Sequence, residues 1–360
     1  MKKNKITIIN HAFSGGGSER VLCNFANLFS TKGYEVDLII LNQDVKNIKI
    51  EEKVNIIQLN KTRSTFGILP LMKYFFINKN IIIISSQRHI NLIVLIAKIF
   101  TFNKCKIYIR ESTCYNLLIQ TEPILKKFII KFLTPILYRF SSNIICPAED
   151  VKTDFLSNNS SLAYKIVKLY NPIDFRYIQS ESKKQNQLKI DIPKKFVVCV
   201  SRLSTEKNVS FLIDSFKEVK IEGVKLLILG EGKDRVNLEK QIDSLNLKNK
   251  IFLLGHINNP YYLVSKAMLS VSTSVVEGLP NAILESIALE TPILALHSIS
   301  GIEELLRNNQ CGHTIDTNNP IVFGKKIEEL IKKDKKMTLL NEFKKQYSFD
   351  GIGEQFEKLF

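Results

Sequence analysis

Short runs of β-branched and aliphatic residues recur along this chain, and each is followed by a stretch of helical periodicity. Strands that alternate with helices in this way pair in parallel. The first half predicts strands over Lys5–Asn10, Glu35–Leu41, Val54–Leu59, Asn80–Ser85, Lys106–Ile109 and Asn143–Cys146. Helices are expected over Glu19–Lys32, Leu69–Asn78, Asn91–Phe100 and Glu122–Phe140. Asn171-Pro172-Ile173-Asp174 interrupts the pattern, and the polar run from Gln179 to Gln187 reads as a linker. The alternation then resumes, with strands expected over Phe196–Ser201, Lys225–Leu229, Ile251–Leu254, Leu269–Ser272 and Pro292–Leu296.

Two α/β series in 360 residues exceed the usual single core and predict two doubly wound, Rossmann-like domains. Their expected extents are 1–175 and 176–344, with a helix within 345–360 packing back on the first. Sheets of this kind bind ligands outside the carboxyl ends of their strands, so two of them facing each other would place a substrate cleft between them.

The net charge of +16 is unevenly spread, with 25 Lys/Arg against 12 Asp/Glu in residues 1–180 and 26 against 23 in the rest. A basic first half attracts anionic lipid, phosphorylated substrates or nucleic acid, but no nucleic-acid motif accompanies it. Lys126-Lys127-Phe128-Ile129-Ile130-Lys131-Phe132-Leu133 alternates bases with large apolar residues, as suits an anionic membrane surface. Lys73, Lys79, Lys98 and Lys104 would add about 1 kcal/mol each at such a surface. An amphipathic helix lying on the sheet with its lysines in water explains the same pattern. Six scattered cysteines without metal-ligand spacing imply a reduced compartment. The N-terminus lacks a signal core and no apolar run approaches about 18 residues, so a cytoplasmic chain with no membrane span is expected.

Three segments carry chemistry. Gly15-Gly16-Gly17-Ser18-Glu19-Arg20 follows the first strand and opens a helix, where bare backbone amides can approach an anion. Arg20 stands where the third glycine of a dinucleotide fingerprint belongs, so a nicotinamide enzyme is disfavoured, and a plain strand-to-helix turn remains open. Ser201-Arg202-Leu203-Ser204-Thr205-Glu206-Lys207-Asn208 follows the first strand of the second series. There Arg202 and Lys207 suit a diphosphate, one through forked hydrogen bonds and the other as a point charge. A solvated loop with Ser204 or Thr205 capping a helix is the alternative. In Glu277-Gly278-Leu279-Pro280-Asn281-Ala282-Ile283-Leu284-Glu285, Gly278 and Pro280 break the chain and a helix begins near Asn281, with its first amides able to hold a phosphate. Glu277 on the loop and Glu285 one turn into the helix could then reach a sugar hydroxyl and a ribose. Glu285 as a surface helix residue is the structural alternative.

Together with Asn171-Pro172-Ile173-Asp174, Gly230-Glu231-Gly232 and Ser300-Gly301-Ile302-Glu303-Glu304-Leu305, these segments resemble the retaining GT-B glycosyltransferases of glycosyltransferase family 4, in that family's order. The resemblance implies that Arg202 and Lys207 hold the donor diphosphate, Glu277 a donor-sugar hydroxyl and Glu285 the ribose. Gly16 and Gly17 would close over the phosphates, and Gly255-His256-Ile257 would form the base-binding turn. It implies a nucleotide-sugar donor as substrate and no cofactor, and a UDP-linked donor is expected. No Asp-x-Asp pair is present to hold a cation. Many relatives carry a cleft histidine where this chain has Arg110-Glu111-Ser112, which resembles bacterial enzymes acting on lipid-linked or surface oligosaccharides, so a glycan or polyprenyl-diphosphate-linked acceptor is expected. Arg110, Glu111 and His89 are candidate acceptor or sugar contacts. A non-hydrolysing nucleotide-sugar epimerase shares the scaffold, as would a nucleotide-sugar-binding protein without turnover.

Overall fold

The computed structural model describes residues 5–13, 16–42, 49–116, 123–185, 191–298, 301–309, 311–333, 337, 339 and 341–360. The chain divides into two compact units, Met1–Ile173 with Lys345–Phe360, and Asp174–Lys344.

In the first unit seven described strands form one sheet: β1 (Ile6–Asn10), β2 (Val36–Ile40), β3 (Asn55–Gln58), β4 (Ile82–Ser86), β5 (Lys106–Arg110), β6 (Asn143–Cys146) and β7 (Ile166–Lys168). Their order is β3-β2-β1-β4-β5-β6-β7 and each described pair is parallel. β1, β2 and β4 are buried along their whole length, which is why they read as continuous apolar runs. The helix Gly17–Thr31 buries Val21, Leu22, Phe25 and Phe29 and ends just before Gly33, whose φ of +82° suits glycine. The C-terminal helix Phe349–Glu357 lies on this unit: Phe356 packs on Phe25, Phe29 and Tyr108, and Lys32 pairs with Glu357 at 3.0 Å.

The second unit repeats the plan with β8 (Lys195–Val200), β9 (Val224–Leu229), β10 (Ile251–Gly255), β11 (Leu269–Ser272), β12 (Ile293–Leu296) and β13 (Gly312–Ile315), in the order β10-β9-β8-β11-β12-β13. Each sheet therefore reverses direction once, between β1 and β4 and between β8 and β11, and a crevice opens at such a point above the strand ends.

Several elements lie beyond those expected from the sequence. The helix Glu149–Asn158 and the three-residue strand β7 were not expected, nor were β13 and the helices Ile302–Asn309, Pro320–Lys333 and Asn341–Tyr347. β7 and β13 are short edge strands, half-buried or exposed, so neither shows a run of apolar residues. The expected linker begins inside a helix, Phe175–Glu181, and its residues 186–187 lie outside the described residues. The helix expected over Glu122–Phe140 spans Ile124–Leu137 and tightens to a 3-10 turn over Tyr138–Phe140, and Glu122 lies outside the described residues.

Candidate functional site

The second unit's switch point gathers the loops that follow β8 and β11. Lys207 ends a 3-10 turn, Thr205–Lys207, and Asn208 beside it adopts a left-handed φ of 51°, which turns the chain into the helix Val209–Lys217. The β11 loop is tied to that turn: the Val275 amide donates to the Glu206 carbonyl at 3.0 Å, and the Thr273 hydroxyl donates to the carbonyls of Lys207 and Asn208. The Lys207 ammonium therefore meets the Glu277 carboxylate in a direct ion pair, with both side chains largely buried. Two charged groups seventy residues apart in sequence are held together at the strand ends.

Arg202 lies in the same loop, with its guanidinium mostly in water and 3.2 Å from Glu206. The loop's path depends on glycine. A Cβ on Gly230 would stand 1.8 Å from the Ser201 carbonyl oxygen and one on Gly232 would stand 2.1 Å from that of Leu203. The Leu203 amide donates to Glu231 at 3.0 Å, completing the contact between the two loops. Gly230-Glu231-Gly232 is thus the support on which Arg202 is mounted.

Leu279 and Pro280 are buried, and the helix Asn281–Ala288 starts immediately after Pro280, with Asn281 and Ala282 half-buried in its first turn. The Gly278 carbonyl accepts from the Gly301 amide at 2.8 Å, so the loop is fastened to the Gly301–Leu305 part of the last motif; Ser300 lies outside the described residues. Glu285 is buried rather than on the surface, and the Tyr261 hydroxyl reaches its carboxylate at 3.5 Å. Tyr261 was not singled out from the sequence, where the one signal is its position just past the turn that contains Gly255-His256-Ile257. In that turn Gly255 is buried with φ +75°, His256 is exposed and Ile257 is half-buried. Arg235 stiffens the region, bonding Glu231 at 2.6 Å, Glu239 at 2.9 Å and the Leu253 carbonyl at 3.1 Å.

In the first unit the switch point lies between the loops after β1 and β4. The Gly16 amide donates to the Glu19 carboxylate at 2.9 Å, so a side chain of the helix itself caps that end beside Gly17. Gly15 lies outside the described residues. His89 is exposed, and its ring stands edge-on to that of His11, with centroids 5.9 Å apart. His11, which the sequence reading passed over, also bonds the Ser64 hydroxyl at 3.2 Å.

Arg110 and Glu111 are both buried, and they serve different partners. Glu111 accepts from Arg88 at 2.6 Å and from the Tyr138 hydroxyl at 2.5 Å. Arg110 donates to Asn171 at 2.5 Å, and its complete burial lowers the guanidinium to about 10. Burial acts on Arg88 in the same direction, but the charge and hydrogen bond of Glu111, together with the neighbouring Tyr138 and Tyr115, outweigh it and hold Arg88 above its ordinary value. Their surroundings make these residues part of the frame at the strand ends, with Arg88 lying over the Tyr115 ring at 4.2 Å.

The sequence and the fold are similar to those of known proteins. Residues 180–347 match the family model described as Glycosyl transferases group 1. The chain carries a group 1 glycosyltransferase domain. It is 29% identical over 340 residues to the N-acetylgalactosamine-N,N'-diacetylbacillosaminyl-diphospho-undecaprenol 4-alpha-N-acetylgalactosaminyltransferase of Campylobacter jejuni, covering 92% of this chain and 91% of that one. It is 27% identical to the same organism's GalNAc-alpha-(1->4)-GalNAc-alpha-(1->3)-diNAcBac-PP-undecaprenol alpha-1,4-N-acetyl-D-galactosaminyltransferase, covering 99% and 98%. The structure of Anabaena HepE in complex with UDP and glucose superposes with a TM-score of 0.81 at 16% identity over 99% of each chain. The fold is GT-B, with both doubly wound sheets present, and the Lys207–Glu277 pair lies within the group 1 domain.

Proposed function

We propose that this glycosyltransferase moves a sugar, with retention of anomeric configuration, from a UDP-sugar to a glycan acceptor carried on a polyprenyl diphosphate, working in the cytoplasm at the inner face of the membrane. The observation that carries the donor half is the meeting of Lys207 with Glu277 at the switch point of the second sheet, next to the helix start at Asn281. A charge pair at strand ends beside the start of a helix fits a diphosphate and the sugar attached to it. The acceptor half is supported by the undecaprenol-linked substrates named for the two Campylobacter relatives, and the UDP by its presence in the HepE complex.

In this reading Lys207 and Arg202 take up the charge that develops on the leaving diphosphate, and the amides at Asn281 and Ala282 add the positive end of a helix. Glu277 orients Lys207 and accepts from a sugar hydroxyl. Glu285, aligned by Tyr261, accepts from the ribose. The acceptor hydroxyl then attacks from the side of the departing phosphate, so the residues position and stabilise without forming a covalent intermediate.

Thermal shifts of the purified chain against UDP-, GDP- and ADP-sugars test the donor, because a ligand that binds the folded state raises its stability. Stabilisation by UDP-sugars is expected, and none by any nucleotide sugar sinks the reading. Proton NMR of the product should show the donor's anomeric configuration. Turnover should persist in excess EDTA, since side chains and a helix end already meet the diphosphate charge; activity lost to EDTA and restored by manganese or magnesium overturns that step.

A further inference from the structure

The helices Ile68–Ile77, Arg88–Thr101 and Ile124–Leu137 of the first unit leave an unusual amount of apolar surface in water. Ile124, Phe128, Phe132 and Ile136 recur every fourth residue of the last helix and are all exposed, Phe128 and Phe132 at 70% and 69%. The same helix turns Ile130, Thr134 and Leu137 inward, so it is apolar on both sides, whereas a helix lying on a sheet in water needs one apolar face.

The neighbouring helices extend this surface. Asn103 donates to the carbonyls of Phe75 and Asn78, and Lys98 donates to the Phe140 carbonyl at 2.9 Å, so the C-terminal ends of all three helices are bonded side by side. Those ends expose Phe76, Ile77, Phe100, Phe102 and Phe140, with Phe102 at 91%. Large apolar side chains exposed together on three adjoining helices mark an interaction site rather than ordinary exterior.

Charge decides the occupant. Residues 53–148 contain 14 Lys/Arg and two Asp/Glu, Glu111 and Glu122. Glu111 is buried against Arg88, and Lys73, Lys79, Lys104 and Lys131 are exposed among the aromatic groups. The side chain of Lys126 lies outside the described residues. A second copy of the chain would bring the same positive surface against itself. Large aromatic side chains ringed by lysines fit the headgroup boundary of an anionic bilayer, where rings enter the acyl edge and ammonium groups meet phosphate.

We infer that these three helices form one face that lies on an anionic lipid surface. The inference deepens the membrane part of the proposed function, and its test separates the two. The full chain is floated with vesicles of phosphatidylglycerol and phosphatidylcholine, and with phosphatidylcholine alone. Binding to the anionic vesicles should fall about tenfold or more between low and about 0.5 M salt, as several exposed lysines lose their attraction. Phe128→Ser with Phe132→Ser should reduce binding about tenfold or more, consistent with the loss of two inserted rings, while the thermal transition and turnover on a short-chain, water-soluble acceptor stay near wild type. Lys73→Gln with Lys131→Gln, which leaves the apolar surface intact, should weaken binding and flatten its salt dependence. Equal flotation on neutral vesicles, no flotation at low salt, or a folded aromatic variant that binds like wild type would overturn the inference. So would a solution dimer that the aromatic substitutions dissociate without loss of vesicle binding. Vesicle binding without any sugar transfer would remove the transferase reading and leave this face standing.

Discussion

Replacing Glu111 with alanine should destabilise the first unit severely. In the structure Arg88 and Glu111 are 2.6 Å apart with side chains only 7% and 3% exposed, and the Tyr138 hydroxyl bonds the second carboxylate oxygen at 2.5 Å. Truncation strands a guanidinium away from water and takes the acceptor from the Tyr138 hydroxyl. Breaking a buried pair costs about 3–5 kcal/mol and an orphaned hydroxyl about 1 kcal/mol more. The Tyr115 ring already lies over Arg88 in the wild-type fold, so it offsets none of this. A net loss of about 4–6 kcal/mol corresponds to roughly 8–24 °C in a folding unit of this size. Calorimetry and urea unfolding measure it, with Glu111→Gln as the control that keeps shape and an acceptor and should lose less. The double variant Arg88→Met with Glu111→Leu should recover much of the loss, because it removes both charges together. A Glu111→Ala chain within about 1 kcal/mol of wild type would refute the reasoning. If that chain also lost turnover, Glu111 would be a substrate contact instead.

Three further expectations concern the second unit. Arg202→Ala and Lys207→Ala should each lower turnover about a hundredfold or more, roughly 3 kcal/mol of stabilisation for the leaving diphosphate, and wild-type kinetics in either variant would remove the assignment. Glu285→Ala should weaken donor binding more than turnover, as Tyr261→Phe should to a smaller degree, while Glu277→Ala should depress kcat more than KM; the same change in both parameters for both glutamates would refute the division of roles. Gly230→Ala should destabilise the chain by about 1–3 kcal/mol through strain at φ +149° and lower turnover by displacing the loop that carries Arg202, and unchanged unfolding midpoints would show that this loop can shift without cost.

Both sheets were legible because their central strands are buried on two faces, which writes a continuous apolar run into the sequence at β1, β2, β4 and β9. β7 and β13, of three and four residues and nowhere fully buried, left no such run, so they emerged only on folding, as did several helices around them. At the candidate site, local spacing placed Arg202 and Lys207 on one loop, Glu277 on another and Glu285 on the helix that follows it, because a loop followed by a helix start is encoded within a few residues. Which groups would meet was not encoded locally. Lys207 reaches Glu277 because β8 and β11 are neighbours, and Glu285 finds Tyr261 because their two helices pack together. Burial likewise separates residues that look alike in sequence: Arg110 is enclosed while Arg202 stands in water, and a phenylalanine in a helix is core at position 75 and surface at position 76. The sequence by itself determined the alternation of strands and helices and the chemistry each loop carries, since both follow from short-range periodicity and backbone conformation. Only the tertiary structure decided which loops face each other, which charges are shielded and which apolar side chains are left in water, since each depends on contacts between residues far apart in the chain.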